Sequence, residues 1–246
     1  MLADRLVAHR GYQKLYPENT LLSLKKAIEA GAHYIEMDVQ FSSDHCPMIY
    51  HDSLLTRVSG NPGIIHALSE EQLSETPAYE PERLGEEWKQ ERIAPLRDLV
   101  PLLKAHPEVT AFVELKEASI DIFGRDRVLD SVGETLHPVI KKCVLISFDY
   151  QVIADARLEG WPQVGVVLHQ WDDLTHPIVL QAEPNYIFAD HNIIPETLDV
   201  ELPETSLVAY EVSTGVLGKA LLSRGVDMLE TFDFPGLLRS LGHYAI

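Results

Sequence analysis

Short apolar segments that read as strands alternate with amphipathic segments that read as helices along the chain. This rhythm limits the available folds more than any other feature. Leu6-Val7-Ala8 is short and apolar. Pro17-Glu18-Asn19-Thr20 supplies turn and N-cap chemistry, and Leu21, Leu24 and Ile28 then recur at helical spacing. Gly31 stops that helix. His33 to Gln40 reads as a second strand and Met48-Ile49-Tyr50 as a short extra one. Further strands are predicted at Thr110 to Leu115, Cys143 to Ser147, Gln163 to Leu168, Tyr186 to Ala189, Ser206 to Tyr210 and Val226 to Leu229. Helices are predicted at Asp126 to Leu136, Tyr150 to Leu158, Val216 to Ser223 and Pro235 to Leu241. The first two strands and these six make eight βα units, which implies a closed parallel TIM (β/α)8 barrel. An open doubly wound sheet is the runner-up. It is disfavoured because no Gly-x-Gly-x-x-Gly turn follows the first strand.

The rhythm breaks between about residues 53 and 107. That stretch holds Gly60-Asn61-Pro62-Gly63 and the charged run Glu80 to Arg92, and ends in a helix near Leu96 to Ala105. It reads as a small insertion between barrel strands 2 and 3, because so long a structureless loop is unusual in a compact domain. The whole chain, 1–246, is expected to be one barrel domain, since 246 residues do not demand a second. The insertion could serve as a homodimer contact or a lid, and its mixed charge and aromatics favour neither.

A hydrophobic content of 46% supports a core large enough to need no disulfide staple. Cys46 and Cys143 are expected to be inert free thiols, and Met1 to Arg10 contains no apolar leader segment, so a cytoplasmic location is expected. A formal charge of -18 disfavours nucleic acid and stable association with anionic membranes. A small anionic substrate remains compatible if basic side chains or a metal ion supply local positive charge.

Candidate chemistry gathers at the C-terminal ends of the early strands, the end that carries the active site in a barrel. His9-Arg10-Gly11 follows strand 1, strand 2 carries Glu36 and Asp38, His51-Asp52 follows the short extra strand, and Glu114 and Lys116 end strand 3. Glu36 and Asp38 are two apart, so both project from the same face. Carboxylates crowded at a barrel mouth repel one another unless a proton or cation joins them. Glu114 completes a three-carboxylate set with Lys116 beside it. Oxygen-only ligands favour one Mg²⁺ or Ca²⁺, with Mn²⁺ also compatible, over zinc. His9 and His51 can act as an acid–base pair near neutral pH. Arg10 can fork two hydrogen bonds to phosphate oxygens, and Lys116 can offset their charge. Each motif alone is weak: a lone Glu-x-Asp is most often a solvated strand edge. His33, His45, His66, His106, His137, His169, His176, His191 and His243 read as surface or loop residues. Trp88, Trp161 and Trp171 read as packing.

His9-Arg10-Gly11, Pro17-Glu18-Asn19-Thr20, Glu36-Met37-Asp38, His51-Asp52 and Val113-Glu114-Leu115-Lys116 stand in an order that resembles the glycerophosphodiester phosphodiesterase family. Ile93-Ala94-Pro95-Leu96 and Ile146-Ser147-Phe148-Asp149 are similar to that family as well, as is an insertion after His51-Asp52. The resemblance implies a TIM barrel that hydrolyses glycerophosphodiesters to sn-glycerol 3-phosphate and an alcohol. It implies metal ligation by Glu36, Asp38 and Glu114, acid–base catalysis by His9 and His51, and phosphate binding by Arg10 and Lys116. Competing readings are a related two-histidine barrel that cleaves phospholipid head groups through a cyclic phosphate, and a barrel that binds a phosphorylated ligand without turnover. The C-terminal third departs from the family pattern: Ala209-Tyr210-Glu211-Val212-Ser213 replaces a Trp-Thr-Val-Asn-like stretch, and near strand 8 Glu230-Thr231-Phe232-Asp233 stands in place of the usual Thr-Asp pair. These departures are expected to alter the wall around the alcohol or glycerol and to leave the catalytic strands untouched.

Overall fold

Among the described residues ten strands order the chain, eight of them in a closed ring. They are β1 (Leu6–Ala8), β2 (Tyr34–Phe41), β3 (Pro47–Ile49), β4 (Ala94–Pro95), β5 (Thr110–Leu115), β6 (Cys143–Ser147), β7 (Val164–Val167), β8 (Tyr186–Asp190), β9 (Ser206–Tyr210) and β10 (Met228–Thr231). The computed structural model describes residues 2–198 and 204–242; His243, read above as a surface residue, lies outside them. From β2 the ring runs in parallel through β5, β6, β7, β8, β9 and β10. It closes where β1 pairs with β10 (Leu6↔Leu229, Val7↔Glu230, Ala8↔Thr231) and with β2 (Val7↔Tyr34, Ala8↔Ile35). The chain is therefore a TIM barrel.

The period-2 pattern of each strand sorts its residues between two cores. Outward side chains such as Leu6, Ile35, Met37, Val113, Leu145 and Leu229 pack under the helices. Inward ones, including Val7, Phe112, Val144, Phe188, Val208 and Met228, fill the barrel interior with Tyr34 and Tyr186. Gly165 belongs to that inner layer for a steric reason: a Cβ there would lie 2.9 Å from the Tyr186 carbonyl oxygen. One step further along the same inward rows, the apolar layer gives way to Glu36, Asp38, Glu114 and Glu230. The floor of the barrel is dry packing and its mouth is ionisable.

The insertion grows from β2. β3 turns back antiparallel to it (Val39↔Ile49, Phe41↔Pro47), and β4 adds antiparallel to β3. Short helical turns at Thr56–Ser59, Ile65–Ala67, Glu70–Glu75 and Pro81–Leu84 fold over a separate small core of Met48, Tyr50, Leu55, Val58, Ile65, Leu73, Ala78 and Ile93. The helix Leu99–Ala105 buries Leu99 and Leu103 in the main core. It therefore belongs to the barrel's outer layer rather than to the insertion.

The structure differs locally from the sequence reading in several places. The last strand runs from Met228 to Thr231 rather than from Val226 to Leu229, because β1 offers partners as far as Ala8. The short helix Pro177–Ala182 was not anticipated; at six residues it is too brief for a periodic signal. Glu117–Phe123 is a further helix that follows Lys116 directly. Among the described residues no helix is long and apolar enough to cross a membrane.

Candidate active site

His9 leaves the end of β1 as the chain enters a tight bend, with Arg10 at φ 54° and Gly11 at φ 80°. Only glycine fits the second position, since a Cβ on Gly11 would come within 2.5 Å of the Ser23 backbone. The bend lets helix Leu21–Glu29 pack close below, where Thr20 caps it and Ser23 donates a hydrogen bond to the Arg10 carbonyl. It also aims the Arg10 backbone N–H at Glu36 Oε2, 2.9 Å away. His51 arrives from the other side, on the β3 ribbon. The Tyr50 N–H donates to the Asp38 carbonyl at 2.9 Å, and Gln40 Nε2 donates to the His51 carbonyl at 2.8 Å, which fixes that ribbon against β2.

These routes bring all seven sequence-predicted residues to the C-terminal mouth of the barrel. His9, Arg10, His51, Glu114 and Lys116 line a cavity of about 180 Å³, with Ile146, Phe148, Val167, Phe188 and Tyr210 as its apolar wall. Glu36 and Asp38 are each 1% exposed at its edge. One oxygen from each of Glu36, Asp38 and Glu114 lies within 4.8 Å of the others. Lys116 Nζ donates to Glu114 Oε1 at 2.6 Å and sits 3.2 Å from Asp38 Oδ1, and Arg10 Nε is 3.1 Å from Asp38 Oδ2. Asn19 grips Asp38 twice: its Nδ2 donates to Oδ2 at 2.8 Å, and its Oδ1 accepts the Asp38 backbone N–H at 3.0 Å.

The electrostatics divide the carboxylates. Burial alone would raise Asp38, but Lys116 and Arg10 outweigh it and hold that group below the usual carboxylate range. Burial, reinforced by neighbouring carboxylates, pushes Glu36 and Glu230 well up. Burial also raises Glu114, against the opposing pull of Lys116. His9 is pushed well down by burial and by the Arg10 charge, so its neutral imidazole is favoured. His51 is held by its neighbour: its Nδ1 is 2.6 Å from Asp52 Oδ1. Asp52 accepts from Arg57 Nε and Nη2, and Arg57 Nη2 and Nη1 donate to Glu18 at 2.7 and 2.8 Å.

One expectation needs correcting. The strand-8 departure does not stop at the cavity wall; it reaches the His9 side chain. Glu230 is 3% exposed, and its Oε2 lies 4.0 Å from His9 Nδ1. Phe232 stacks on the His9 ring at 4.4 Å. His9, Glu36 and Glu230 also form a second group with ligand-type atoms within 4.8 Å of one another. A carboxylate inside the apolar run Met228-Leu229 was the available signal for Glu230, of the same kind that marked Glu36. Glu18, Asn19 and Arg57 were missed as site supports. Pro17 to Thr20 reads as a turn, and nothing local distinguishes Arg57 from a surface arginine. Glu211 lies at the cavity rim with φ 61°, where it also borders a neighbouring groove. Cys46 and Cys143 are both pushed up to about 12 by burial, which suits inert thiols.

The profile of the Glycerophosphoryl diester phosphodiesterase family matches residues 9–143. A rat protein, Glycerophosphodiester phosphodiesterase 1, is 34% identical over 110 residues; that stretch is 45% of this chain and 33% of the rat protein. The chain therefore spans about a third of that relative's length. A glycerophosphodiester phosphodiesterase from Caldanaerobacter subterraneus subsp. tengcongensis is 26% identical over 233 residues, which cover 93% of each chain. Among solved structures, an Oleispira antarctica phosphodiesterase in complex with the product sn-glycerol-3-phosphate superposes with a TM-score of 0.85 and 21% identity. That match covers 97% of this chain and 96% of the other.

Proposed function

The chain belongs to the glycerophosphoryl diester phosphodiesterase family, and we propose that it hydrolyses glycerophosphodiesters to sn-glycerol 3-phosphate and an alcohol with a divalent cation held by Glu36, Asp38 and Glu114. The observation that carries this reading is that oxygens of three buried carboxylates gather within 4.8 Å of one another, one of them, Glu114, on the same cavity that His9 and His51 line. The donor set suits a hard cation. Among the described residues, Arg10 pairs with Asp38 and Lys116 with Asp38 and Glu114, while Glu36 and Glu230 are buried beside them. Glu36 Oε1 and Glu230 Oε1 are buried without a hydrogen-bond partner. A divalent ion would supply the partner that these buried oxygens lack. Mg²⁺ or Ca²⁺ fits an all-oxygen set of this kind. Such an ion would supply charge stabilisation at the non-bridging phosphate oxygens.

The chain's own residues divide the proton work. His9, kept neutral by burial, takes a proton from the attacking water through Nε2, and the water oxygen bonds to phosphorus. The bond from phosphorus to the alcohol oxygen breaks, and His51 returns a proton to that oxygen. Asp52 occupies His51 Nδ1, which leaves Nε2 as the nitrogen that works in the cavity. Arg10 and Lys116 lie on the cavity wall and meet the anionic group as it enters. The apolar wall excludes water from the three-carbon half of the substrate.

The test is an assay on glycerophosphocholine and glycerophosphoethanolamine that detects glycerol 3-phosphate, with EDTA and then with Mg²⁺, Ca²⁺ or Mn²⁺ restored. Turnover that EDTA abolishes and one ion rescues supports both the reaction and the cation. EDTA-insensitive turnover keeps the reaction and removes the cation. A cyclic phosphate product, visible by phosphorus NMR, replaces hydrolysis with cyclisation.

A further inference from the structure

Glu230 is a buried carboxylate that the reaction just described does not use. β10 carries it into the inward row opposite Val7, two residues before His9. Its Oε2 is 4.0 Å from His9 Nδ1, and the same imidazole's Nε2 is 3.8 Å from Glu36 Oε2. His9 Nδ1 and Glu230 Oε1 are both buried without a hydrogen-bond partner. The Phe232 ring lies almost parallel to the imidazole, with an interplanar angle of 12°. That stack stops the imidazole from tilting but lets it slide within its own plane. A shift of about 1 Å in that plane closes the 4.0 Å gap to hydrogen-bond length.

We propose that Glu230 is a positioning residue for His9: it accepts the Nδ1–H and so holds the Nε2 lone pair toward the Glu36 side of the cavity. The inference rests on the reading of His9 as the base. Phe232 fixes the plane of the ring, and Glu230 selects which edge faces inward. Without an acceptor at Nδ1, a neutral imidazole distributes its proton over both nitrogens, and only one of those tautomers can take a proton from water at Nε2. A carboxylate is an expensive way to fill a strand position next to Leu229; a leucine of similar bulk would bury there without penalty. Its place beside an imidazole nitrogen that has no hydrogen-bond partner fits a role in orienting that ring. The second group of ligand atoms, His9, Glu36 and Glu230, offers a different occupant for the same space, a second cation bound through His9 Nδ1. That arrangement would remove His9 as base, so the two are separable.

The experiment uses the full chain labelled with ¹⁵N-histidine in saturating Mg²⁺, with the His9 signals assigned by comparison with His9→Gln. The expected wild-type signature is a proton on Nδ1 and a bare Nε2. Glu230→Leu should mix the tautomers and lower kcat by roughly 10–100-fold, with KM and the half-saturating Mg²⁺ concentration unchanged. Glu230→Gln, which keeps an acceptor oxygen, should recover part of both losses. A wild-type His9 protonated on Nε2, or an unchanged kcat in Glu230→Leu, overturns the proposal. So does a bound-Mg²⁺ stoichiometry of two that falls to one in Glu230→Leu. If that variant does not fold, the wild-type tautomer decides. Tautomer and stoichiometry are read without turnover. A chain inactive on glycerophosphodiesters would therefore sink the reaction while leaving this result intact.

Discussion

His9 and His51 face one cavity from supports built on opposite principles. His9 stands on the barrel wall, 7% exposed, stacked on Phe232 and surrounded by packed strands. His51 stands on the insertion, and its side chain is 30% exposed. Its orientation comes from a chain of ions: Asp52, then Arg57, then Glu18, which also receives Arg10. Glu80 extends that chain through Arg57 and Arg83 and accepts the Glu18 backbone N–H at 2.7 Å. One histidine is held by shape and the other by charge. Shape in a close-packed interior resists salt and small shifts, whereas a partly exposed ion network responds to both. The difference places the adjustable half of the site on the insertion.

The largest effects should come from the two histidines themselves. His9→Ala and His51→Ala should each lower turnover by roughly 10²–10⁴, with melting temperatures close to wild type because strand-end residues serve the mouth rather than the core. Near-wild-type turnover in either variant would end the comparison at its premise. Next comes the ionic support. Arg57→Ala leaves buried Glu18 with Arg10 and Gln13 alone and should cost about 1–3 kcal/mol in urea denaturation, at the lower end because Arg57 is partly exposed. It should also lower kcat by freeing Asp52, while the His9 ¹⁵N signals stay put. An unchanged denaturation midpoint would mean that the insertion stands on its apolar core alone. The smallest effect concerns His66, on the insertion, whose Nδ1 lies 2.9 Å from the Phe41 carbonyl oxygen. Burial lowers its pKa, against that hydrogen bond. The unfolded chain therefore takes up a proton first. Stability is full above the unfolded value of about 6.5 and declines as pH falls below it toward the folded value. A thermal melt series from pH 7.5 to 5.5 should show a shallow fall that His66→Gln flattens. An identical slope in that variant assigns the acid sensitivity elsewhere.

Much of this site was legible because period-2 geometry is strict. Glu36 and Asp38 had to share a face, and that face had to be the one Phe112 and Glu114 occupy across the β2–β5 register. The apolar residues around them settled that the face was inward. Glu230 obeyed the same rule yet escaped. Its strand was ended at Leu229 because a charged residue reads as the start of a loop, and only pairing with β1 carries the strand on to Thr231. Asn19 escaped for another reason. Its local role as a turn residue is complete in itself, and the grip on Asp38 depends on two loops meeting in space. Arg57 depends on contacts 39 residues apart in sequence, which no local pattern encodes. The insertion was recognisable from its broken rhythm. Its anchoring strand β3 is legible as Met48-Ile49-Tyr50, but β4 is not, since it is two residues long.

The seam between β1 and β10 has a consequence in time as well as space. Arg5 donates to the Asp227 carbonyl across 222 residues of chain, and Lys14 reaches Asp233 across 219. Contacts of such span form late, after more local pairings have lowered the entropy of loop closure. His9 lies on one side of this seam and Glu230 and Phe232 lie on the other. A nascent or refolding chain can therefore complete β2 to β9 and most of its secondary structure while His9 still lacks its clamp. On the proposed reading of His9, recovery of turnover during refolding should coincide with ring closure, the last step of folding.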